Sequence, residues 1–205
     1  MMRTFGWPEF LFILEAAKWT IALSAIAFAG GSIVGLMVAL ARTAESRVLQ
    51  FAATVFTQIF QGTPLLLQLF LVFFGAPILG LDINPWLAAA AALILNSGAF
   101  LGEIWRGCIQ AVPRGQLEAA QALSLSYYWR MRDVVLPQAM KIAVAPTVGY
   151  LVQIIKGTSL AAIIGFTEIT RAGQIINNAT FQPLVVFGVV AAIYFCLLYT
   201  SDAAD

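Results

Sequence analysis

The sequence predicts an all-α, polytopic membrane protein with about five transmembrane helices, and three observations carry that expectation. Hydrophobic residues make up 61% of the 205 and charged residues only 10%, with a mean hydropathy of +0.89, whereas ordinary soluble domains carry roughly 25% charged residues. Apolar stretches that reach or approach the ~20 residues needed to cross a hydrocarbon core recur five times. Basic residues collect in two of the links between those stretches.

The expected spans run from Trp19 to Ala41, Phe51 to Phe74, Trp86 to Ile109, Pro137 to Lys156 and Leu184 to Tyr199. The first is no cleavable signal peptide, because its apolar run is too long and the residues ahead of it are too weakly basic. Arg42 and Arg47 sit between spans one and two, and Arg106, Arg114, Arg130, Arg132 and Lys141 sit at or between spans three and four. The link from Gly75 to Pro85 holds Asp82 and no basic residue. The positive-inside rule therefore puts the two basic links in the cytoplasm, the N-terminus outside and the C-terminus inside. The last span stops short, at about 16 residues, and the acidic tail from Thr200 to Asp205 has the wrong sign for a cytoplasmic flank. The sequence from about residue 200 is thus expected to be out of place, with the true C-terminus missing.

Charge and composition exclude several function classes. A net charge of +1 gives no electrostatic basis for a nucleic-acid partner. Histidine is absent, and Cys108 and Cys196 both lie in apolar surroundings, so neither a zinc site nor a disulfide framework is supported and no cofactor is expected. No Gly-x-x-x-x-Gly-Lys-Ser/Thr loop is present to cradle nucleotide phosphates; Lys156-Gly157-Thr158-Ser159 has the wrong order.

Within the spans, Ala27, Gly31 and Gly35, with Gly98 and Gly102, recur at a spacing of four, which lets helix backbones approach closely in lipid. Ordinary packing inside the chain explains them better than a dimer seam. Polar residues at membrane depth are more telling, since each is costly unless it faces protein or water. Gln61 and Gln68 share a face of span two, which Gly62-Thr63-Pro64 interrupts: the proline lacks an N–H and pushes on the carbonyl four residues back, freeing a backbone acceptor. Asn96 and Glu103 share a face of span three, with Arg106 one turn on as a structural partner for Glu103. Gly149, Gln153 and Lys156 form a stripe in span four that runs into Thr158-Ser159. These stripes suggest a polar pathway, with Gln61, Thr63, Gln68, Gln153, Lys156, Thr158 and Ser159 as candidate lining residues. Lys156 has a second reading, a side chain snorkelling to the outer interface. Beyond it, Phe166, Ile169, Gly173 and Ile176 alternate helically with Glu168, Arg171 and Gln174, an amphipathic segment on the outer surface.

A polar insert of about 110–136 separates spans three and four. Leu117, Ala120 and Leu123 recur at helical spacing opposite Glu118 and Gln121, which predicts a short helix with alanines on one face and Glu118 near its positive end. Ser124 and Ser126 break it and cap the next segment, Tyr127 to Arg132. The aromatics and arginines of that segment suit a helix lying flat on the cytoplasmic face, a stiff strut between the spans and whatever docks there. By itself the insert reads better as a surface-lying helix with no partner.

Glu118-Ala119-Ala120 and Leu136-Pro137, with Gly115-Gln116 ahead of them, resemble the cytoplasmic signature loop of ABC-importer permeases. Gly62-Thr63-Pro64-Leu65-Leu66, Gly102-Glu103-Ile104, Arg106-Gly107, Val112-Pro113 and Lys156-Gly157-Thr158-Ser159-Leu160 resemble one branch, the polar amino-acid uptake permeases, and together extend over nearly the whole chain. Three departures stand out. Ser124 replaces the usual glycine, so a hydroxyl-capped turn is expected in place of a left-handed residue. Gln61 stands where arginine is common and Gly149 where asparagine is.

The resemblance implies a type I ABC importer permease fold over a single domain, 1–205, and a transport subunit without catalytic activity of its own. It implies ATPase coupling through Gly115, Gln116, Glu118, Ala119, Ala120, Ser124, Leu136 and Pro137, and a multi-pass location in a bacterial inner membrane. The implied partners are a cytoplasmic ABC ATPase subunit, a second permease subunit, identical or a sister, an extracytoplasmic solute-binding protein and the lipid bilayer. The competing reading, an ion-gradient-driven secondary transporter, calls for acidic residues deep in the spans, where only Glu103 is a candidate.

Overall fold

The computed structural model describes residues 4–202, with side chains over 4–199. Its elements are helical: α1 (Trp7–Thr43), α2 (Arg47–Gly62), α3 (Leu65–Ile78), α4 (Pro85–Gln110), α5 (Arg114–Ala122), α6 (Tyr127–Trp129), a π-helical stretch (Arg130–Val135), α7 (Leu136–Thr158), a 3-10 stretch (Ser159–Ile164), α8 (Ile169–Thr180) and α9 (Pro183–Asp202). Three segments, Trp7–Thr43, Pro85–Gln110 and Tyr127–Ile164, are long and apolar enough to cross a membrane among the described residues. The α2–α3 pair makes a fourth if counted as one span, and Pro183–Tyr199 is a shorter apolar helix.

Three expectations are corrected and one is sharpened. The first helix starts at Trp7 and not at Trp19. Glu15 and Lys18, which look like a break in the apolar run, form an i,i+3 ion pair on the exposed side and leave the helix intact. At its start the Glu9 carboxylate accepts the Gly6 N–H at 3.0 Å. The interruption expected in the second span is a full break, with two half-helices bent by 101° at Thr63-Pro64. Tyr127 to Arg132 is no separate flat helix but the first turns of the fourth span's rod. The helix of the fifth span continues to Asp202 instead of breaking at Thr200, while 203–205 lie outside the described residues.

The glycines explain the central pairing. A Cβ on Gly31 would lie 2.6 Å from that of Ser97, and one on Gly98 would lie 2.5 Å from Val34 Cγ1. Gly35 and Gly102 repeat the arrangement one turn on, against Leu101 and Val38. These residues therefore seat α1 on α4 within the chain, as small residues do where dispersion packing holds helices together in lipid. Leu23, Ala27, Leu69, Leu93 and Ile154 form the buried core between α1, α3, α4 and α7. Ile13, Ile169 and Val186 bring α8 and α9 to one end of α1. At the other end, Cys108, Val112, Val135 and Ala139 form the layer against which Leu117 of α5 packs.

Candidate functional site

Two groups of side chains follow from this frame. At the coupling loop, α5 is anchored on one side only: Ala120 is buried and Leu117 half-buried, while Gly115, Gln116, Glu118 and Ala119 are exposed. The alanines thus divide between the two faces instead of sharing one. Glu118 stands in the second turn, because the helix opens at Arg114, and so gains little from the dipole, whose effect fades within the first turn.

The turn that ends α5 differs from expectation. Ser124 adopts the left-handed conformation itself, with φ of 55°. Its N–H donates to Gln121 O at 2.8 Å, and the Leu125 N–H donates to Ala120 O at 3.1 Å. That pair of bonds is a Schellman motif, whose backbone geometry is set whatever the side chain. Ser126 occupies the following N-cap position but its hydroxyl makes no capping bond. Pro137 lies exposed in the first turn of α7, and Leu136 is half-buried beside it. Pro137 has no N–H for the carbonyl of Asp133, which removes one rung where the ladder is π-helical. Gln138 Nε2 donates to the next carbonyl, Val134 O, at 2.8 Å. The loop is tied to the α1–α2 link by Tyr127 Oη, which donates to Thr43 O at 3.2 Å, and by Arg130, 3.5 Å from Glu45.

The second group surrounds the break between α2 and α3. Proline at 64 predicts a stranded acceptor at residue 60, and Phe60 O does receive two side-chain donors there. Gln68 Nε2 lies 2.8 Å away and Asn96 Nδ2 3.2 Å. Gln68 also donates to Thr63 O and Thr63 Oγ1, at 3.0 and 2.9 Å. Gln68 is consequently buried as a staple, away from any open path. Gln61 is exposed and donates to Ala99 O at 3.1 Å, and Thr63 is exposed with its hydroxyl on Ile59 O at 2.7 Å. On α7, Gly149, Gln153 and Lys156 are exposed. Thr158 is 0% exposed with its hydroxyl on Ile155 O, and Ser159 is half-buried with its hydroxyl on Lys156 O. The two helices meet nearby, since a Cβ on Gly157 would come within 3.2 Å of Leu65.

The third polar group that sequence placed on α4 separates in two. Asn96 joins Gln68, while Glu103 pairs with Arg106, as its spacing predicts, and also with Arg42 of α1 at 3.6 Å. Arg42 further donates to Thr57 at 3.2 Å, so α1, α2 and α4 are tied together at this end. Sequence reasoning missed Glu168, which it assigned to the polar face of α8. It is the buried N-cap of that helix: its carboxylate accepts from Thr170 N, Arg171 N and Tyr194 Oη at 2.9, 2.8 and 2.7 Å. Burial raises its pKa above the ordinary carboxylate value, against the lowering effect of those donors. The available signal was its position, immediately before the apolar-periodic run that begins at Ile169.

Comparison with known proteins agrees with this architecture. Residues 31–201 match the family model described as binding-protein-dependent transport system inner membrane component. The glutamine transport system permease protein GlnP of Escherichia coli K12 is 36% identical over 190 residues, covering 92% of this chain and 87% of that protein. The probable amino-acid ABC transporter permease protein YckA of Bacillus subtilis is 34% identical over 189 residues, covering 92% and 84%. A crystal structure of an amino acid ABC transporter with histidines superposes with a TM-score of 0.89 at 32% identity, covering 94% of this chain and 90% of that one. The fold is that of a type I ABC importer permease, and the chain belongs to the family of binding-protein-dependent transport system inner membrane components.

Proposed function

We propose that this chain is the membrane-spanning permease subunit of an ATP-driven bacterial importer of polar amino acids or related small solutes. The observation that carries the reading is the exposed surface of Gln116, Glu118 and Ala119 on a short helix fixed by Leu117 and Ala120 and closed by the turn at Ser124. A cytoplasmic ABC ATPase subunit docks on that surface, with Gly115, Leu136 and Pro137 shaping the approach. ATP hydrolysis takes place in that separate subunit.

Gln61, Thr63, Gln153 and Lys156 are polar, exposed and carried by apolar helices, an arrangement that is costly against lipid. They face a solute path enclosed with a second permease subunit, a copy or a sister. Gln68, Thr158 and Ser159 support that path from behind, since their polar groups are committed to backbone acceptors. The N-terminus lies outside, where an extracytoplasmic binding protein delivers solute, and the C-terminus inside. The amino-acid class is supported by the names of the relatives, glutamine and amino-acid permeases. A gradient-driven transporter is not favoured, because Glu103 is held between Arg42 and Arg106.

A mild-detergent pull-down of the tagged chain from native membranes, beside Glu118→Arg, tests the proposal. Co-purifying ATPase activity that disappears in the variant is the expected result. A chain that comes down alone in both forms, yet still catalyses uptake, overturns it.

A further inference from the structure

Two apolar clefts lie end to end between α1 and α7. One, of ≈ 450 Å³, is floored by Trp105 and Cys108 of α4 and walled by Leu36 and by Ala143 and Thr147 of α7. The other, of ≈ 500 Å³, is lined by Met37 and Leu40 of α1 and by Met131, with Tyr128 and Arg132 at its edge. Leu136 belongs to both, so they continue into each other.

We infer that this continuous cleft seats one anionic phospholipid, its acyl chain along α1 and α7 and its headgroup at Arg132. Four observations select that occupant. From Leu136 to Val148 the cleft follows α7 for about 18 Å at 1.5 Å per residue, close to one leaflet's half of a ~30 Å hydrocarbon core. Its mouth carries the groups that favour a headgroup region: Arg132 lies 5.4 Å from the Trp129 ring centroid and 6.0 Å from that of Tyr128. Among the described residues the ion pair of Arg132 is with its neighbour Asp133, 3.7 Å away, and both side chains are more than half exposed, so the guanidinium can turn from the rings to a phosphate. Around this end of the molecule seven basic side chains, from Arg42 to Lys141, stand against four acidic ones, Glu45, Glu103, Glu118 and Asp133.

The cleft also avoids the solute path. Gly149, Gln153 and Lys156 lie on nearly the opposite face of α7, roughly 150° round at 3.6 residues per turn. The inference rests on the membrane reading of these helices and not on the solute or the ATPase, so it can fail while the transport proposal stands.

The test is native mass spectrometry of the full chain, extracted in mild detergent with its associated subunits and titrated with phosphatidylglycerol or phosphatidylcholine of equal chain length. Phosphatidylglycerol adducts are expected to exceed phosphatidylcholine adducts by about fivefold, the weight of one basic side chain at an anionic surface. Arg132→Glu should abolish that preference and Val144→Trp, which fills the cleft, should reduce adducts of both lipids. Arg132→Gln, with an unfolding midpoint matching the parent, separates loss of charge from loss of fold. Equal adducts of the two lipids in the parent, a preference that survives in Arg132→Gln, or dimers of the chain that carry no lipid while monomers do, would overturn it.

Discussion

Gln68 of α3 and Asn96 of α4 donate to the same backbone oxygen, that of Phe60 in α2, and Asn96 Nδ2 also donates to Gln68 Oε1 at 3.2 Å. Three helices therefore meet at one acceptor that Pro64 leaves without an N–H donor. A buried carbonyl without a partner costs about 1–3 kcal/mol.

Gln68→Leu or Asn96→Leu should each lower stability by roughly 1–2 kcal/mol. The pair should cost more than the sum, because either amide alone still satisfies part of the oxygen and only the double variant leaves it bare. Thermal unfolding of the four proteins of this cycle in detergent checks the coupling; strictly additive losses would show that the two amides act independently.

Ser124 holds a left-handed backbone that costs a non-glycine L-residue about 1–2 kcal/mol, while the side chain contributes no hydrogen bond among those described. Ser124→Gly should leave coupling intact and slow proteolytic nicking after α5. Ser124→Val should do the reverse, since a β-branched residue at φ of 55° is an outlier. Limited proteolysis with measurement of transport-coupled ATPase separates the two.

Gly98→Val should destabilise by about 1–3 kcal/mol through overpacking, because its Cβ would lie 2.5 Å from Val34 Cγ1. Adding Val34→Gly, which also removes the Val34 Cβ that would lie 2.7 Å away, should recover much of the loss. An unfolding midpoint that fails to recover would place the strain elsewhere on the helix.

Glu168 has a pKa raised by burial, so the folded protein holds this proton more tightly than the unfolded chain does. Its contribution is therefore complete below the unfolded carboxylate pKa and is lost as pH rises through the raised folded value. Glu168→Gln should flatten the stability profile over that window and leave it unchanged at more acid pH. Unfolding midpoints measured across a pH series give the comparison.

Local chemistry made much of this legible, and long-range partners did not. Gly31, Gly35, Gly98 and Gly102 announced close packing, and Pro64 announced both a break and the stranded oxygen at residue 60. The residue that answers Pro64 from α4 was hidden, because Asn96 is 28 residues from Gln68 and periodicity says nothing about which helix faces which. The sequence reading places the start of α1 at Trp19, although the helix runs on from Trp7 through Glu15 and Lys18, whose mutual pairing keeps both charges on its exposed side. At Ser124 residue preference pointed to a capped turn, but the backbone bonds of the Schellman motif decided the conformation. The outward position of Glu118 and the inward one of Ala120 followed from the helical period, whereas the separation of Ala119 from Ala120 needed the layer around Val112 and Val135.

The continuity of Tyr127–Ile164 has a mechanical result. At 1.5 Å per residue these 38 residues make a rod roughly 57 Å long, so a tilt of about 5° at one end sweeps the other through roughly 5 Å. That displacement equals about one helical turn, enough to exchange one set of neighbours for the next at the far side of the bilayer. On the proposed coupling, a small push delivered beside α5 would be geared up along this rod into an opening of molecular width.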